Sequence, residues 1–171
     1  METQSNKPPS TAMRSYQNDP QGFLSRMLER AEALWLEDYS AEPGEGIGLF
    51  IVHTPKGDRY TVNVLEQSCT CAFWQGAEDM RAITGCKHLC GLEMLITEQL
   101  AQLKAIIGQH ELSGHPERAQ PQREEFQRLS DAWQATEDAA IDRQAEEEED
   151  GRLLMAETVA EFAIANSGYR F

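Results

Sequence analysis

Residues 60–90 read YTVNVLEQSCTCAFWQGAEDMRAITGCKHLC and contain two tight pairs of metal-binding side chains. They are Cys69-Thr70-Cys71 and Cys86-Lys87-His88, separated by fourteen residues. Three thiols and one imidazole make up the coordination set of a closed tetrahedral zinc site, with no position left for catalytic water. One structural Zn2+ is therefore expected, with Cys69, Cys71, Cys86 and His88 as its ligands.

The residues on either side suit such a site. From Cys86 to about Ile107, Leu89, Leu92, Ile96, Leu100, Leu103 and Ile107 recur at steps of three and four, which predicts an amphipathic helix. Gly108 is the expected helix stop. Before Cys69, the runs IGLFIVHT and RYTVNVLE flank the turn-forming PKGD and predict a β-hairpin. Alternation puts Tyr60, Val62 and Val64 on one side of the second strand and Thr61, Asn63 and Leu65 on the other.

In this order (a Y-x-V strand, SCTC, the aromatic pair Phe73-Trp74, a variable loop, GCKH and an apolar helix) the chain resembles the SWIM-type zinc finger, whose signature is C-x-C-x(n)-C-x-H. The resemblance spans about residues 45–107. It implies that Cys69, Cys71, Cys86 and His88 hold the metal and that the module binds DNA or protein. Nothing in residues 109–171 takes part in it.

Cys90 offers an alternative fourth ligand, because it follows Cys86 by four residues and would lie one helical turn along. The family pattern favours His88, which leaves Cys90 to pack as a small apolar residue.

The overall expectation is an α+β protein: a small zinc-stabilised hairpin-plus-helix module with a helix before it and an acidic helical extension after it. Residues 1–19, rich in Ser, Asn, Gln and Pro, read as a disordered tail. Asp19-Pro20 starts a helix carrying Phe23, Met27, Ala31 and Leu34 at helical steps, expected to cover one face of the hairpin. AEPGEG breaks that helix before the first strand, and residues 20–108 form the module. Residues 109–121 read as a linker and 122–171 as the acidic extension. There, helices are expected from about Gln122 to Ala145 and from Arg152 to Ala165, with Glu146–Asp150 and Gly151 between them, as a helical hairpin or one interrupted helix. Such helices are marginal alone and must pack on the module, on each other, on a second copy or on a partner.

Four cysteines at metal spacing, without a signal-peptide-like or membrane-spanning run, point to an intracellular, reducing compartment such as cytoplasm or nucleus, and away from membranes. No phosphate-cradling loop, nucleophile elbow or paired catalytic carboxylates occur, so an enzyme is not expected.

Charge bears on partners. The net charge is −14, and residues 109–171 hold 6 basic against 15 acidic residues, while 67–108 hold 3 against 4. Nucleic-acid binding normally leaves a basic footprint. Only a small patch of Lys56, Arg59, Arg81 and Lys87 offers one here, with Phe73 and Trp74 as possible stacking residues. The expectation is an adaptor that engages a protein through its acidic helices, within a recombination, transposition or chromatin-related assembly. The alternative is direct DNA binding through that patch, and a homo-oligomer is compatible with either.

Overall fold

The computed structural model describes the backbone of residues 8–81 and 83–167, and side chains up to residue 152. It is α+β. Strands β1 (Ser40–Pro43), β2 (Leu49–His53), β3 (Arg59–Asn63) and β4 (Ser68–Cys69) form an antiparallel meander in that order.

The expected hairpin is β2–β3, with Phe50 opposite Val62 and Val52 opposite Tyr60. The Thr54 and Gly57 amides donate to the Asp58 and Thr54 carbonyls at 2.9 Å and close its turn. Two further strands flank it. β1 escapes the sequence reading because Ser-Ala-Glu-Pro has no β-branched or aromatic residue, and a proline fits only on an edge strand. Ala41 pairs with Val52 and Val62 with Cys69, so Ala41, Phe50, Val52, Val62 and Cys69 share the buried face.

Helix α4 (Lys87–Leu112) packs on that face through Leu92, Leu95 and Ile96. It does not stop at Gly108. A glycine inside an exposed helical stretch costs under about 1 kcal/mol, too little to end a helix by itself. The stop is at Gly114 (φ 76°), where the His115 amide donates to the His110 carbonyl (3.0 Å) and the Gly114 amide to that of Glu111 (3.1 Å). This pair of bonds is a Schellman motif around a left-handed glycine. Residues 109–112, expected in a linker, are thus the last turn of α4.

Helix α2 (Pro20–Glu32) starts as expected, with the Gly22 amide donating to the Asp19 carboxylate at 3.0 Å. It packs against α4 and not, as expected, over the hairpin. Gly91 of α4 makes this possible, since a Cβ there would run into the Ala31 carbonyl. Residues 11–18, expected to be disordered, form α1 (Thr11–Asn18). Ser10 caps it by accepting from the Met13 amide (3.0 Å), and Tyr16 sets its ring edge-on to Phe23 at 6.1 Å.

The expected break at Glu146–Gly151 does not occur either. α5 (Gln120–Ser167) runs through it, because glutamate is a good helix former and a lone glycine is tolerated. The chain divides after Thr136 into two units. In the first, Leu129 is buried, Trp133 meets Phe50 at 5.7 Å, and Thr136 accepts a hydrogen bond from the Gly48 amide (3.2 Å). In the second, residues 140–152 are exposed. No helix of the described residues is long and apolar enough to cross a membrane.

Candidate metal centre

Four local structures deliver the four side chains. Cys69 ends β4 on the buried face of the sheet. Thr70 then locks the knuckle to β3: its amide donates to the Thr61 carbonyl (3.0 Å) and its hydroxyl accepts from the Thr61 amide (2.9 Å). Cys71 caps α3 (Ala72–Gly76), accepting from the Trp74 amide at 3.5 Å, and Cys86 caps α4 in an extended conformation. His88 lies in the first turn of α4.

The ligand atoms of Cys69, Cys71, Cys86 and His88 all lie within 4.8 Å of one another, and all four residues are buried. Cys69 Sγ and His88 Nδ1 are 3.8 Å apart. A tetrahedral ion with metal–sulfur bonds of about 2.3 Å requires ligand–ligand edges of roughly 3.8 Å, so the cluster is already close to coordination size. The Cys69 contact turns Nδ1 toward the sulfurs, while His88 Nε2 is buried without a hydrogen-bond partner among the described residues. The imidazole is held by packing: the Tyr60 ring lies 4.6 Å away and the Tyr39 ring 6.0 Å away.

The sulfurs also interact electrostatically. Hydrogen bonds from Cys69 first, then Cys86, hold the Cys71 thiol well below its ordinary value. The same bond to Cys71 pushes Cys69 up to about 11, and bonds to Cys69 and Cys71 push Cys86 up. Of the three sulfurs, Cys71 is thus the one most readily charged. Amides donating to Cys69 (from Cys71, 3.4 Å) and Cys71 further favour the charged form. The four residues suit one metal ion with an affinity for thiolate and imidazole.

Cys90 is exposed and stands outside this cluster. The reason is the cap: Cys86, at φ −78° and ψ 168°, is not helical, so the one-turn relation to Cys90 does not align their sulfurs.

The remaining singled-out residues are dispersed. Arg59 pairs with Glu42 at 3.2 Å, and alternation puts it on the sheet face opposite Tyr60. Arg81 donates to the Trp74 carbonyl at 3.0 and 2.9 Å and lies 5.3 Å from the centre of its ring. Phe73 and Trp74 are half-buried against the core. Lys87 donates to the Tyr39 hydroxyl (2.8 Å), and exposed Lys56 lies at the hairpin turn. Sequence reasoning missed Met80, fully buried in the loop between the ligand pairs, and Arg30, which lies beside the cluster.

No protein-family model, curated protein or solved structure matches the chain.

Proposed function

We propose that the chain is a zinc-stabilised binding module of the SWIM type. It holds one structural zinc through Cys69, Cys71, Cys86 and His88 and serves as an adaptor between proteins in a DNA-processing assembly, with no catalytic role. The observation that carries this reading is the convergence of four buried ligand atoms within 4.8 Å. Three sulfurs and an imidazole favour zinc over hard cations, which take oxygen ligands. Four protein ligands complete a tetrahedron, so the metal's contribution is to folding.

A protein partner is favoured over nucleic acid by charge. Of the four cations expected to form a DNA-binding patch, Arg59 is paired with a carboxylate and Arg81 is folded back on Trp74. The exposed residues 140–152 are strongly acidic and would repel phosphates while attracting a basic protein surface.

Two measurements test the proposal. Elemental analysis of the purified protein should give one zinc per chain, lost in Cys71→Ser and kept in Cys90→Ser. Titration of labelled single- and double-stranded DNA at two salt concentrations should show only weak binding. Tight, strongly salt-dependent DNA binding by the full chain would overturn the adaptor role.

A further inference from the structure

We propose that a cleft beside the metal cluster docks a short acidic segment of a protein partner. One aromatic or apolar side chain of that segment enters the cleft, and its neighbouring carboxylates pair with Arg30 and Lys87. The inference rests on the reading above, since the ligands Cys71, Cys86 and His88 form part of the cleft wall. It departs from that reading in placing a docking site at the metal module and not on the acidic helix.

The cleft has a volume of about 240 Å³, and its other walls include Met27, Arg30, Tyr60, Phe73 and Lys87. Three other surface hollows each carry carboxylates: Glu78 and Asp79 in one, Asp38 and Glu125 in the second, Glu37 and Asp58 in the third. This cleft carries none and has two cations, in a chain of net charge −14. Arg30 is exposed and makes no hydrogen bond or ion pair among the described residues. Lys87 donates to the Tyr39 hydroxyl, lies 4.5 Å from the centre of that ring, and pairs with no carboxylate among the described residues. A divalent ion with three thiolates and a neutral imidazole carries one net negative charge, which the two cations exceed. The surplus favours an anion at the rim.

Size and composition select the occupant. The cleft is smaller than the roughly 300 Å³ at which pockets for drug-sized ligands begin, which suits a single anchor residue. Met27, Tyr60 and Phe73 provide apolar and aromatic walls of the kind that hold interface hot spots. A nucleic-acid strand would need cations along a continuous track. Beyond Tyr60 the next hollow carries Glu37 and Asp58 beside Lys56, which interrupts such a track.

The test uses the zinc-loaded full chain and fluorescence anisotropy with three labelled probes: the peptide Asp-Glu-Phe-Asp-Glu, its counterpart Asp-Glu-Ala-Asp-Glu, and oligothymidylate. The phenylalanine peptide should bind best and should weaken with added salt. Arg30→Glu should lower its affinity on the order of tenfold or more, with zinc content unchanged. Arg26→Glu makes the same charge change on the same helix, at a residue paired with Asp19 and outside the cleft, and should have much less effect. The inference is overturned if the zinc-loaded chain ignores the peptide, if the two variants lose equally, or if oligothymidylate binds more tightly than the peptide and is the probe lost in Arg30→Glu. A chain that binds no zinc would instead sink the metal reading itself.

Discussion

Hydrogen bonds from Cys69 and Cys86 lower the Cys71 thiol, and the bonds among the three sulfurs raise the thiols of Cys69 and Cys86. The sign of the pH dependence follows. Thiols raised above their ordinary value stay protonated at neutral pH, and a metal must displace those protons to bind. About two protons should therefore leave per zinc near pH 7, and zinc affinity should fall as pH falls. Calorimetry in buffers of different ionisation enthalpy measures the count, and proton-neutral binding would contradict this picture. At this scale much was legible in the sequence. The spacing of Cys69, Cys71, Cys86 and His88 names the residues that the fold brings together, because one intervening residue keeps both side chains of each pair within reach of a single ion. The side-chain direction of Cys90 was not legible, since it depends on whether Cys86 is a cap or a helical residue.

Two glycines of α4 carry opposite expectations. Gly91 lies against the Ala31 carbonyl, and backbone cannot move aside as a flexible side chain can. Gly91→Ala should separate α2 from α4 and cost about 1–3 kcal/mol. Gly108 has nothing within 4 Å of its missing Cβ, so Gly108→Ala should stabilise the helix by about 0.5–1 kcal/mol through the lower entropy of the unfolded chain. Denaturant unfolding of the zinc-loaded variants measures both, and equal signs would refute this account of the packing. The same contrast explains what the sequence concealed. Both glycines interrupt an apolar stripe in the same way, and only the neighbouring helix distinguishes them. Gln99 is a similar case: it reads as a surface residue, yet its side chain accepts from the Ala41 amide (2.9 Å) and donates to the Ala41 carbonyl (3.0 Å). It thereby satisfies an edge strand that would otherwise present open backbone groups.

Over the whole molecule, the metal ligands and the apolar core are one construction. Cys69, Cys71 and Cys86 belong to the same buried cluster as Phe50, Val52, Val62, Leu92, Ile96 and Leu129. The periodicity of the apolar residues announces most of that cluster. The addition of Leu129 and Trp133 was not announced, since it depends on α5 returning to the sheet after the turn at Gly114. Binding energies of structural zinc sites are on the order of 10–16 kcal/mol, comparable with the whole stability of an ordinary domain at about 5–15 kcal/mol. Removing the metal should therefore unfasten the first unit cooperatively, beginning where the ligands are anchored. Hydrogen exchange after complete chelation should show protection lost first in β4, α3 and the opening turns of α4, and then in β2 and β3. Residues 140–152 are exposed and lie outside the unit that holds the ligands, so their exchange should be the same with and without zinc. Unchanged protection across residues 40–112 after verified metal loss would mean that the apolar core alone suffices, and that the four ligands hold no folding metal.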